Sequence, residues 1–121
     1  MLNPFGVEAL IAAYNHGAPW IDALNDYIYG NYKLLRDAFT RELPHLSVTR
    51  LEGTYLAWID CRTLGMTSDK LTQLLLEKAR VMVNSGSMYG SSGEGFIRIN
   101  LATPRSRVAQ AIKRMTPLLR D

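Results

Sequence analysis

The spacing of apolar residues changes partway along the chain. Val7, Leu10, Ile11 and Tyr14 recur every three or four residues, the period of one helix face. Asn3 followed by Pro4 supplies an N-cap and then a first-turn residue that needs no amide bond, so a helix is predicted to start there. Gly17 is the expected stop. Pro19 opens a second helix with a stripe of Trp20, Leu24, Tyr27, Ile28, Leu35 and Phe39, and Pro44 ends it. At 3.6 residues per turn this is about six to seven turns. A helix longer than average often bridges two bodies rather than crossing one.

Beyond Pro44 the segments are shorter. Residues 47–51 are predicted to form a short strand, and Glu52-Gly53 a turn. Residues 54–60 (TYLAWID) are rich in aromatic and β-branched side chains and predict a buried strand. Thr67 or Ser68 caps a helix with Leu71, Leu74, Leu75 and Ala79 on one face, and residues 81–83 predict another short strand. Residues 85–95 (SGSMYGSSGEG) are a glycine-rich loop, and residues 96–101 (FIRINL) a further strand. Thr103 is the expected cap, and Pro104 the first residue, of a last helix with a stripe of Val108, Ala111, Ile112, Met115 and Leu119. Two helices followed by mixed strands and helices predict an α+β fold, a small sheet covered by helices behind a helical lead-in.

The 121 residues suit one domain with one core. Hydrophobic residues make up 47% and charged residues 21%, an ordinary globular balance. The net charge of +3 is small and spread along the chain, so nucleic acid is not an expected partner. Cys61 is the only cysteine; no intramolecular disulfide can form, and a reducing, cytoplasmic setting is expected. The N-terminus lacks the pattern of a signal peptide. No apolar run approaches the ~20 residues of a membrane span, so no membrane partner is expected.

Arg98 is the most informative residue. Alternation along residues 96–101 sends Ile97, Ile99 and Leu101 to the core, and Phe96, Arg98 and Asn100 to the opposite face. A mid-strand arginine needs a carboxylate or an open cleft, because its charge is costly to bury unpaired. Its planar fork suits bidentate carboxylate binding. Taken alone, a solvated arginine is the default reading. The loop 85–95 lacks G-K-[ST] and fails as a phosphate-binding P-loop. It reads as a flexible connection, although Met88 and Tyr89 suit a mobile flap. Trp58 is expected in the core, and Tyr55 fits either core or ligand. His16 is placed to cap a helix C-terminus. His16, His45 and Cys61 lack the spacing of a metal site. Arg107 and Arg114 fall on the polar face of the last helix and read as solvated.

Three segments, in order, resemble one family. NPFGVEALIAAYNHGAPWIDALNDYIYGN resembles the junction between the large and small domains of fold-type-I pyridoxal-phosphate (PLP) enzymes. LEGTYLAWIDCR is similar to the first small-domain strand of their aminotransferase branch, and SGSMYGSSGEGFIRINLATPR to the segment around its substrate-binding arginine. The wording is most similar to the MalY/PatB-like cystathionine β-lyases and related carbon–sulfur lyases. The resemblance implies a small, mostly antiparallel sheet. It divides the chain into a large-domain remnant (1–18), a long interdomain helix (19–44) and the small C-terminal domain (45–121).

The resemblance also implies a function. Arg98 matches the arginine that binds the α-carboxylate of an L-amino acid, Tyr55 an aromatic position lining the pocket, and Asn100 a supporting position on the same strand face. Tyr89 stands where phenylalanine is more usual. PLP would serve the full-length parent, a homodimer, and no cofactor is expected on this piece. The Schiff-base lysine and the acidic partner of the cofactor ring come from the large domain in this family. None of Lys33, Lys70, Lys78 and Lys113 lies in a segment resembling the family's lysine loop. The chain is therefore expected to be part of a longer protein and inactive alone, with no catalytic residue of its own. The competing expectation is a non-enzymatic module that binds a small ligand or a partner.

Overall fold

The computed structural model describes residues 2–120. Helix α1 spans Pro4–His16; the Asn3 side chain accepts from the Phe5 amide at 3.0 Å, as the Asn-Pro pair predicts. Helix α2, Ala18–Glu42, runs unbroken for 25 residues and ends just before Pro44. Strands β1 (Ser47–Val48) and β2 (Leu56–Asp60) follow. Helix α3, Ser68–Leu74, is capped by the Thr67 hydroxyl and continues into a wider π turn, Leu75–Ala79. Strand β3 is Asn84–Ser85, β4 is Phe96–Asn100, and α4 is Arg105–Met115. The sheet order is β1-β2-β4-β3, and every pairing is antiparallel.

The core lies between one face of this sheet and the helices. Ala57 and Ile59 of β2 and Ile97 of β4, with Leu101 just beyond it, meet Leu35 and Phe39 of α2, Leu71 and Leu75 of the third helix, and Met115 and Leu119 at the C-terminus. All are buried. Period-2 burial on β2 and the stripe of α4 agree with the sequence expectation, while on β4 Ile97 is buried and Ile99 only partly so. The α2 stripe divides: Ile28, Leu35 and Phe39 are buried, whereas Trp20 and Tyr27 are exposed. No residue of α1 is buried.

Several predicted boundaries are corrected. Thr54 has φ 61°, a left-handed backbone that no strand accommodates, so β2 begins at Leu56 and leaves Thr54 and Tyr55 outside. Strand β1 stops at Val48 rather than residue 51. Residues 81–83 are not a strand. Arg80 reverses the chain at φ 56°, and the Val81 amide is taken by the Leu75 carbonyl at 3.2 Å, so sheet pairing starts only at Asn84. Thr103 does not cap α4, and Pro104 occupies the cap position without a side-chain bond. Tyr27 of α2 acts there instead, its hydroxyl accepting from the Arg105 amide at 2.8 Å.

The sequence reading also passed over Asn31, which is fully buried in α2. Its Nδ2 donates to the carbonyls of Leu101 and Thr103, both at 2.9 Å, and its Oδ1 accepts from Arg105 Nε at 3.0 Å. One side chain thus ties the long helix to the exit of β4, and every polar atom of the buried amide group has a partner. No helix among the described residues is long and apolar enough to cross a membrane.

Candidate functional site

The sheet face turned away from the core carries a cluster centred on Arg98. Antiparallel register sets Arg98 opposite Trp58 on β2 and opposite Asn84 on β3. Directly opposed residues project to the same face, so all three side chains meet there. Trp58, expected in the core, is half-buried on this open face. The signal was present in the alternation of residues 56–60: once Ala57 and Ile59 point inward, Trp58 must point outward.

Aromatic rings frame the guanidinium. Arg98 lies over the Tyr89 ring, 4.6 Å from its centroid. Tyr89 meets Trp58 edge to face at 5.7 Å, and Trp58 stacks on Phe96 at 5.4 Å with planes 15° apart. Arg62 covers Phe96 at 5.0 Å. Its fork holds Asp60, with Nη2 to Oδ2 at 2.7 Å and Nε to Oδ1 at 3.0 Å. Hydrogen bonds from Arg62 hold the Asp60 carboxyl below its ordinary range against the opposing effect of burial. That carboxylate is therefore committed to Arg62 and does not neutralise Arg98.

Arg98 has little polar company. Its Nη2 donates to Asn84 Oδ1 over a long 3.4 Å, and its Nε is buried with no acceptor among the described residues. A guanidinium offers five N–H donors, and among the described residues only one of them has an acceptor. An unsatisfied buried donor on a charged group costs free energy until an acceptor arrives. In a strand otherwise well paired, such an atom is a mark of a ligand site.

Tyr89 reaches Arg98 because the glycine-rich loop is folded tightly. Two short 3-10 turns, Gly86–Tyr89 and Ser91–Gly93, replace the flexible connection expected from composition. Gly86 and Gly93 pack so closely that a Cβ on either would run into the carbonyl oxygen of the other. The start of α3 pins the loop. Asp69 Oδ1 accepts from Ser85 Oγ at 2.5 Å and Ser87 Oγ at 2.8 Å, and those hydroxyls hold its carboxyl below the usual range. Ser68 Oγ accepts from the Gly95 amide at 2.7 Å. Ser85, Ser87 and Glu94 carried no signal in the sequence alone, because their partners on α3 are 16 to 26 residues distant.

The other two predicted site residues stand apart from Arg98. Tyr55 is exposed, its carbonyl accepts from the Leu101 amide at 2.8 Å, and no hydrogen bond or ring contact among the described residues joins it to Arg98. Asn100 turns back on its own backbone, accepting from the Ala102 amide at 2.8 Å, and lines a groove beside α4. Burial pushes the Cys61 thiol up to about 12, so it is not a nucleophile near neutrality. No group of three metal-ligating side chains occurs among the described residues. Lys33, Lys70, Lys78 and Lys113 are all exposed, on or beside helices α2, α3 and α4. None lies in an enclosed site that could hold an aldehyde cofactor.

The fold is a small antiparallel sheet with two helices before it and one after, and by its relatives the chain belongs to the fold-type-I PLP-dependent enzymes, as their small domain. Within the family it falls in the MalY/PatB subgroup. It is 38% identical to protein MalY of Escherichia coli over 106 residues, 88% of this chain and 27% of that protein. It is 34% identical to cystathionine beta-lyase PatB of Bacillus subtilis over 118 residues, 98% of this chain and 30% of that one. The crystal structure of cystalysin from Treponema denticola, which contains a pyridoxal 5′-phosphate cofactor, superposes with a TM-score of 0.93 at 31% identity. That match covers 98% of this chain and 30% of cystalysin. The chain thus spans about a third or less of the length of these relatives. No family model matches it.

Proposed function

We propose that this chain is the substrate-carboxylate-binding domain of a PLP-dependent aminotransferase or carbon–sulfur lyase acting on L-amino acids. The observation that carries the proposal is Arg98: a half-buried guanidinium with an acceptor-free Nε, held on an aromatic platform. A carboxylate brought to this face supplies the missing acceptor. Two parallel N–H···O bonds would then fix the orientation of the amino acid as well as its affinity. Trp58, Phe96 and Tyr89 shield one side of the pair from water, where a charge-assisted bond is stronger. In this reading Tyr55 and Asn100 complete the pocket only when the rest of the protein packs over them.

PLP supplies an electron sink for a carbanion at the substrate Cα. The exposed lysines of this chain do not fit it, so we assign its lysine and its acidic partner to the large domain that the relatives possess and this chain does not span. This domain's part is to bind and orient, and alone it is inactive. Whether sulfur is eliminated or the amino group transferred is decided by residues of that other domain.

The test compares Arg98→Ala with the parent residue in a full-length protein carrying this domain. Hydrogen bonds to charged groups contribute about 1.5–3 kcal/mol each, so kcat/KM for an L-amino acid should fall at least about ten- to a hundredfold. The amine analogue lacking the carboxylate should lose far less. Equal losses on both substrates would make Arg98 a structural residue.

A further inference from the structure

A second cluster of unpaired positive charge lies beside α4. A groove of about 540 Å³ runs between α4 and residues 80–82. That lies within the roughly 300–1,000 Å³ of small-molecule sites. Its floor is apolar, with Leu35, Val81, Ala111 and Met115 among its lining residues. Arg80, Arg107 and Arg114 stand around it, and no Asp or Glu lines it. Arg107 and Arg114 are seven residues apart, two turns of α4, and so share one face of it. Arg80 reaches the groove because the chain reverses there.

None of the three arginines makes an ion pair or a side-chain hydrogen bond among the described residues. Other exposed arginines do find acids: Arg36 pairs with Asp37, Arg41 with Glu42 and Arg62 with Asp60. Like charges around one groove raise the local potential, and low-dielectric walls focus it. Solvation of the polar face of α4 does not account for a third arginine arriving from another element.

We propose that this groove binds a small organic dianion of the phosphate-monoester type, with its head on Arg80, Arg107 and Arg114 and an apolar body on Val81, Ala111 and Met115. Three guanidinium groups match a doubly charged head better than a single carboxylate, and their forks suit phosphate oxygens. The site does not use Arg98, although Asn100, assigned above to the carboxylate pocket, also lines this groove.

The test is equilibrium dialysis of the 121-residue chain against 1-naphthyl phosphate, with 1-naphthol as the uncharged comparison. Saturable binding below about 1 mM is expected, with naphthol weaker by on the order of tenfold or more. Arg107→Ala combined with Arg114→Ala should weaken binding by a similar factor, and Arg50→Ala, remote and exposed, should not. Affinity should also rise between pH 5 and 7.5, because the second proton of a phosphate ester leaves at about pH 6. Equal binding of naphthol would place the probe on exposed apolar surface instead. Loss of affinity in Arg50→Ala equal to that in the double variant would reduce the effect to net charge. Either result, or no saturation, overturns the proposal.

Discussion

Arg98 is held in place by residues that do not resemble one another in sequence. Asn84 marks one end of its guanidinium, Tyr89 lies under it, and Trp58 keeps Tyr89 upright. Such a frame suits a planar fork and not a compact ammonium. Arg98→Lys in a full-length protein should therefore be clearly impaired in kcat/KM for the amino acid, despite keeping the charge, while Arg50→Ala stays near the parent value. Recovery of full activity by lysine would show that charge alone suffices. Cys61 gives a prediction of another kind. Its thiol is raised to about 12 in the fold, against about 8.5 in an unfolded chain. It should resist iodoacetamide at pH 8 until the protein is denatured, as read by intact mass. The linkage sign follows from the raised value: the protonated thiol's contribution is complete below about 8.5 and is lost as pH climbs from there through 12. Rapid alkylation of the folded protein would contradict the burial of this sulfur.

At the scale of elements, the glycine loop and α1 behave as opposites. The loop is tightly packed where composition suggests slack. Gly86→Ala must push a Cβ into the Gly93 carbonyl, and overpacking of this kind costs about 1–3 kcal/mol. Urea denaturation should show a lower midpoint with an unchanged slope. An unaltered midpoint would mean the loop opens freely. Helix α1 is well formed locally, with its cap and its proline in place, yet it buries nothing. Phe5, Leu10, Ile11 and Tyr14 are exposed there, and Trp20 and Ile21 continue the apolar surface into α2. An isolated helix of 13 residues is marginal in water. Amide exchange in α1 should be fast compared with the second half of α2, and the chain should self-associate as its concentration rises. Strong protection of α1 in a demonstrated monomer would count against this reading.

For the whole molecule, the proposed division of labour is tested through its lysines. All four are exposed, and none faces the cluster around Arg98. Mixing the chain with PLP, reducing with borohydride and mapping adducts by mass spectrometry should give only scattered, substoichiometric labelling. A stoichiometric adduct on a single lysine would overturn the assignment of the cofactor to the other domain.

Local chemistry alone determined much of this protein. The Asn3-Pro4 start of α1, the Thr67 cap, the length of α2 up to Pro44 and the inward set of Ile97 and Leu101 all follow from caps, proline and period. The segment around Arg98 was legible too, because a charged residue in an apolar strand conflicts with its surroundings. Tertiary structure decided the rest. Alternation alone turns Trp58 outward, but it meets Arg98 only because β2 pairs antiparallel with β4 in a register that no local pattern encodes. The strand predicted at 81–83 gave way to a π turn and a left-handed arginine, since the Val81 amide found its acceptor on the third helix. Asn31, Tyr27 and Arg105 became a tie, buried at Asn31, only when α2 lay across the start of α4, more than 70 residues later. Period and capping act over a few residues, whereas a hydrogen bond between distant segments is set only when packing brings them together.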